Sequence, residues 1–148
     1  MCGLFFFLSG GSFVATTRLI PLHAGKGRKA GQAIRQTIQY VINPRKTERG
    51  EWITSCACDH RTADVEFMLS KREYIARTGR IRGKDDVIAY HLRQSFVPGE
   101  ITPQEANRLG QELARRFTHG DHAFIVATHT DKKHIHNVRP DRAMRKAV

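Results

Sequence analysis

Five of the eight histidines fall within residues 119–136, and three stand in one short run, His129-Thr130-Asp131-Lys132-Lys133-His134-Ile135-His136. Neutral imidazole is the commonest protein ligand for transition metals, so this density raises metal chemistry first. Residues 122–130 and 133–138 read as strands. A strand sends alternate side chains to one face, so His134 and His136 point the same way, about 6.6 Å apart by rise. If the two runs form a hairpin, a two-residue loop sets His129 opposite His134, and a four-residue loop sets it opposite His136. Either register gathers three imidazoles on one face, close enough to share an ion. His122 has the other parity and is expected to face away. Such a site with open positions is a Lewis acid able to polarise a phosphoryl oxygen. Asp131 is placed to accept the other ring N–H of a ligand and so fix its tautomer, or to make the turn, or both.

The elements that must position these residues follow from periodicity and punctuation. Residues 16–24 read as a first strand, and Ala30, Ala33, Ile34, Ile38, Val41 and Ile42 recur at helical spacing over 30–42. Asn43-Pro44 ends that helix, because a residue before proline avoids the helical region. Tyr40 therefore lies in its last turn. Residues 51–58 form a strand. A helix from Thr62 to about Thr78 follows, with Val65, Met68, Leu69 and Ile75 as its expected buried side. Residues 86–96 make another strand. Thr102-Pro103-Gln104-Glu105 opens a third helix, combining a capping box with proline at the first helical position. The order β-α-β-α-β-α-β-β could build a parallel sheet, but the short final connections favour a mixed or antiparallel one. The fold class expected is α+β, one sheet backed by helices.

Composition narrows the partners. Lys and Arg total 25 against 14 Asp and Glu, a formal charge of +11. Residues 1–50 hold eight bases, Arg18, Lys26, Arg28, Lys29, Arg35, Arg45, Lys46 and Arg49, and a single acid, Glu48. Segregation of this kind makes a one-signed face, as tracking a phosphate backbone requires. Cys2, Cys56 and Cys58 give no disulfide framework, and no second cysteine pair completes a site with Cys56 and Cys58; reduced thiols fit best. The apolar run Leu4–Leu8 is too short for a membrane span and lacks the basic flank of a signal peptide, so no membrane insertion is expected. Residues 1–13 read as a tail outside the domain.

The segments ATTRLIPLHAGKG, QYVINPRKTERG, ADVEFMLSKREY, DVIAYHLRQSFVPGEITPQEAN and AFIVATHTDKKHIHN resemble the relaxase/mobilisation nuclease family, within the wider HUH endonucleases. The resemblance runs from about Val14 to Asn137. It implies a relaxase-like sandwich and a strand-specific nickase of single-stranded DNA at an origin of transfer, acting in the cytoplasm. By the resemblance, Tyr40 attacks one phosphodiester, leaving a 5′-phosphotyrosyl bond and a free 3′-hydroxyl. Strand parity makes His129, His134 and His136 the expected metal ligands, with Asp131 assisting; the resemblance keeps His129 and His136, with His134 as a same-face substitute. Lys26, Arg28, Lys29, Arg35, Arg45 and Lys46 would track the DNA. The cofactor expected is a divalent metal, manganese or magnesium, although imidazoles suit manganese, cobalt, nickel or zinc better than magnesium. Accessory mobilisation proteins and a coupling protein are the further partners implied. Tyr74 and Tyr90 rival Tyr40 on chemistry alone, and His23 reads as structural.

One departure stands out. The family pattern carries a histidine directly after the position of Asn137, and this chain has Val138 there. From Val138 the sequence VRPDRAMRKAV is basic and without apolar alternation, so the nuclease domain is expected to span 14–138, to be incomplete at its C-terminal side, and to end in a divergent tail over 139–148. The competing expectation is a catalytically impaired relaxase fragment that only binds DNA through its basic face.

Overall fold

The computed structural model describes residues 6–8, 11–13, 15–23, 27, 29–80, 87–132 and 135–142, with backbone alone at 6–8, 11–13 and 138–142. Strands β1 (Phe6–Leu8) and β2 (Gly11–Phe13) form a separate two-stranded antiparallel sheet. The remaining elements are β3 (Ala15–Leu22), α1 (Ala30–Val41), β4 (Ile53–Cys56), α2 (Ala63–Thr78), β5 (Ala89–Phe96), α3 (Pro103–Thr118), β6 (Phe124–His129) and β7 (His136–Arg142). The sheet order is β3-β5-β7-β6-β4, and every neighbouring pair is antiparallel. The fold is α+β, as the pattern of elements implied.

The last strand enters the middle of the sheet, between β5 and β6, and the chain crosses the sheet through each helix to leave that place open. Helices α1 and α2 cover one face. Ala33, Ile34, Ile38 and Val41 of α1 and Phe67 of α2 share a core with Ile125 and Ala127 of β6. Helix α3 covers the other face, where Ala114 meets Phe124 and Val126, and Ala106 and Leu109 meet Ala15 and Phe96. Alternation along β6 thus feeds two cores. All six of its residues are buried, which is why its sequence reads as a near-continuous apolar run.

Local signals explain the helix ends. The capping box of α3 is formed: Thr102 accepts from the Glu105 amide, Glu105 reaches back to the Thr102 amide, and Pro103 sits at the first turn. Asp64 and Glu66 lie in the first turn of α2, and Gly79 closes it in the left-handed conformation at φ 63.

Two expectations change. The buried side of α2 is Ala63, Phe67 and Lys71, with Met68 partly buried, whereas Val65 and Leu69 are each 52% exposed. Apolar residues are spread around this helix, so spacing alone could not choose the face that α1 and the sheet cover. Strand β7 also runs on to Arg142, past Val138. Arg139, Pro140, Asp141 and Arg142 pair with Leu92, His91, Tyr90 and Ala89 of β5. Backbone pairing to a neighbouring strand sustains the ladder where apolar alternation has stopped.

Behind the sheet, a buried polar network ties α3 to the strands that carry the histidines. Asn137 donates to Gln94 at 2.9 Å and to the Ala106 carbonyl at 2.6 Å, and accepts from Thr128 at 2.7 Å. Asn107 donates to Thr128 at 3.2 Å and to the Trp52 carbonyl at 3.0 Å, and accepts from Thr54 at 2.8 Å. Thr128 and Asn137 are cross-strand partners one step from the His129 and His136 pair, so the network holds that register. Gly110 permits the close approach of α3: a Cβ there would stand 2.7 Å from Asn137 Nδ2 and 2.7 Å from Val126 Cγ1.

Candidate active site

The hairpin register sets His129 opposite His136. This is the longer-loop arrangement of the two that the sequence allowed. His129 is fully buried and His136 is 7% exposed, and their rings meet at 82° with centroids 5.0 Å apart. His129 Nε2 lies 2.8 Å from the Val41 carbonyl oxygen. A carbonyl can only accept, so that nitrogen carries the proton and Nδ1 presents a lone pair. That lone pair faces His136 Nε2 at 3.2 Å. Bonds of about 2.0–2.1 Å at a tetrahedral angle place two nitrogen ligands roughly 3.3 Å apart, so the spacing fits a shared ion.

Helix α1 brings the tyrosine to this pair. Its last carbonyls have no partner within the helix, and the Val41 carbonyl finds one in His129. Tyr40, one residue earlier, stands edge-on to the His129 ring with centroids 5.7 Å apart, and is 41% exposed. The loop after α1 is tied down as well. Asn43 accepts from the Arg45 amide at 3.0 Å through its side chain, and from the buried Thr47 hydroxyl at 3.0 Å through its backbone. The Lys46 carbonyl accepts from the Thr130 amide at 2.8 Å.

Lys46 consequently belongs to the centre of the site. Its Nζ is 3.5 Å from Asp131 Oδ2 and 4.6 Å from the centroid of the Tyr40 ring. Sequence reasoning counted Lys46 among the residues along the DNA, and nothing in its local pattern distinguishes it from Arg45. Only the tether to Thr130 does so. Asp131 faces Lys46, and the His129 ring N–H that it might have accepted goes to Val41 instead. Possible ligand atoms of His129, Asp131 and His136 all lie within 4.8 Å of one another. Two imidazoles and a carboxylate suit a divalent transition ion better than magnesium.

The electrostatics keep the donors ready. Burial, first of all, holds the His129 imidazole below its ordinary range; the Val41 carbonyl opposes this, Lys46 adds to it, Asp131 opposes it, and Arg93 adds to it. His129 is therefore neutral at neutral pH, the state that binds metal. Partial burial pulls the Asp131 carboxyl upward, but the charge of Lys46 and hydrogen bonds to it outweigh that and hold it below its usual range. On β5, burial takes His91 down to about 4, with Arg93 and His129 contributing.

The other expected site residues divide three ways. His134, Lys26 and Arg28 lie outside the described residues. Lys29 is exposed at the start of α1, and Arg45 is exposed in the loop that follows it. Arg35 is exposed and bonded to Asp64 of α2 at 2.9 Å. Val138 stands opposite Ala127 and Arg93, two residues beyond His136. His122 is turned from the site, its Nδ1 3.3 Å from the Thr118 carbonyl, and His23 is exposed after β3. Cys56 and Cys58 are unbridged, and burial raises the Cys58 thiol to about 12, consistent with inert reduced sulfur.

Comparisons with known proteins give the family. A family model described as relaxase, MobA/VirD2-like, nuclease domain, matches residues 40–137. The chain is 29% identical over 117 residues to the group II intron-interrupted relaxase LtrB of Lactococcus lactis subsp. cremoris (strain MG1363), covering 66% of this chain and 21% of that protein. It is 34% identical over 125 residues to a protein rlx of Staphylococcus aureus, covering 84% of this chain and 32% of that one. Another Staphylococcus aureus protein rlx is 44% identical over 75 residues, covering 50% of this chain and 22% of its own length. The matched stretch is thus a third or less of these relatives. With the family model spanning everything from the tyrosine that ends α1 to the asparagine behind His136, this chain belongs to the MobA/VirD2-like relaxase nuclease domain family.

Proposed function

We propose that the chain nicks single-stranded DNA at an origin of transfer, in the cytoplasm, through Tyr40. The observation that carries this reading is the Tyr40 ring against His129, at the mouth of a two-histidine pair with donor spacing suited to one ion. The Tyr40 oxygen attacks a backbone phosphorus, forming the phosphotyrosyl P–O bond as the P–O3′ bond breaks. The phenolic proton leaves to solvent or a nearby base, and the departing 3′-oxygen gains a proton. The reverse reaction reseals the strand. His129 and His136, with Asp131 beside them, would hold a divalent ion that supplies Lewis acidity at the scissile phosphate. Lys46 adds fixed positive charge where the phosphate would sit. Lys29 and Arg45, exposed around α1, are proposed to follow the backbone, together with Lys26 and Arg28. Recognition of one strand and site, and cooperation with accessory mobilisation and coupling proteins, belong to the same proposal.

The test is a labelled single-stranded origin oligonucleotide incubated with Mn²⁺ and resolved on a denaturing gel. A covalent protein–DNA adduct that disappears in Tyr40→Phe is expected. An adduct that persists in Tyr40→Phe, or metal-independent cleavage, would overturn the assignment.

A second reading rests on the resemblance, which leads to a histidine being expected where Val138 stands. A domain that binds DNA without cutting it would give salt-sensitive binding and no adduct. Val138→His, which adds an imidazole two residues from His136, should then raise Mn²⁺ affinity and restore the adduct.

A further inference from the structure

We propose that Arg18 of β3 and Arg93 of β5 form a phosphate clamp that seats the DNA strand beside the histidine pair. The inference rests on the nuclease reading above and concerns residues that it does not use.

Register carries it. Thr16, Ser95, His136 and His129 are successive partners across β3, β5, β7 and β6, so they form one row on one face. Two residues along, Arg18 pairs with Arg93, and Arg93 pairs with Val138. Side chains alternate along a strand, so the arginine row is the next one on the same face, about 6.8 Å away by rise. The helices bury that face over β6 but not here. Both arginines are exposed, as is Thr16.

Like charges placed directly opposite across a sheet repel one another. Neither guanidinium is bonded to a carboxylate among the described residues, so nothing there offsets the repulsion. A phosphodiester would. Guanidinium presents a planar fork that matches two phosphate oxygens, and two forks side by side suit successive phosphates of an extended strand. Arg93 is also close enough for its charge to act on His129, which joins this row to the metal-ligand pair electrostatically. Thr16 and Ser95 form the neighbouring row on the same two strands, the row of the histidines.

Fluorescence anisotropy of a labelled single-stranded oligonucleotide, titrated between about 50 and 200 mM salt, reads the clamp directly. Arg18→Gln with Arg93→Gln should flatten the slope of log affinity against log salt by about 1.4, or 0.7 for each lost phosphate contact. Each single variant should lose about half of that, and Arg18→Lys with Arg93→Lys should keep most of it. The charge-matched control is Arg108→Gln with Arg116→Gln on α3, across the sheet, and its slope should be unchanged. Thermal melting of the glutamine double variant should be no lower than wild type, because a repulsion has been removed. If wild type binds and the clamp variant keeps the wild-type slope, or falls only as far as the control, the clamp is wrong. If wild type binds no single-stranded DNA, the nuclease reading falls and the clamp with it.

Discussion

The Val41 carbonyl accepts the Nε2 proton of His129 at 2.8 Å, joining the end of the first helix to the end of β6 across 88 residues of sequence. One bond does two jobs. It selects the tautomer that leaves Nδ1 bare, and it locks the last turn of α1, which carries Tyr40, against the imidazole. The proposed nucleophile and the proposed metal ligand are therefore positioned by the same contact, and a helix displaced there would misplace both.

Lys46 is expected to act in the chemistry more than in binding. Its amine sits between Asp131 and the Tyr40 ring, so Lys46→Ala should slow adduct formation roughly 100-fold, the lower end of the range seen when one preorganised donor near a reacting centre is removed. Oligonucleotide affinity should fall by much less, about the share of one phosphate contact. Single-turnover rates and equilibrium binding measured on the same variant decide the matter. Equal losses in both would return Lys46 to the role of an ordinary backbone contact.

Gly110→Ala should destabilise the protein although alanine favours helix. The new methyl would lie 2.7 Å from Asn137 Nδ2 and Val126 Cγ1, so α3 must move off the sheet. Overpacking of this kind costs about 1–3 kcal/mol, against the roughly 1 kcal/mol that alanine returns in helix propensity. Because Asn137 neighbours His136, Mn²⁺ affinity should weaken too. Urea unfolding with isothermal titration of the metal would check both, and an unchanged midpoint would contradict the packing argument.

Stability should fall as pH is lowered from 6.5 toward 4. The folded state holds His91 down to about 4, against 6.5 for an ordinary histidine, chiefly through burial. Between those values the unfolded chain binds a proton that the native state refuses, so stability rises with pH across the window and is fully present above it. His91→Gln should flatten that part of the profile. Melting temperatures of both proteins at intervals from pH 4 to pH 7.5 give the comparison, and parallel profiles would show that His91 is not responsible.

Much of the frame is legible in the sequence alone. The helical spacing from Ala30 to Ile42 and the stop at Asn43-Pro44 placed Tyr40 in a last turn. Thr102-Pro103-Gln104-Glu105 announced a helix start that the structure forms bond for bond. The dense histidines before His136 marked a hairpin with a shared face. These are local signals: caps, breakers and side-chain parity depend on residues a few positions apart.

What remained undecided depends on distant backbone pairing. Parity allowed His129 to face either His134 or His136, and the ladder between β6 and β7 chose His136. The buried side of α2 is not legible in its sequence, because its apolar residues do not form one stripe and the partner surface chooses among them. Lys46 looked like any loop cation until the Thr130 amide tied its backbone beside Asp131. Arg18 and Arg93 are 75 residues apart in sequence and meet only because β3 and β5 are neighbours. Sequence thus determined which side chains each element could offer and to which face. Strand order and register, set by hydrogen bonds between segments far apart in the chain, decided which of those side chains meet.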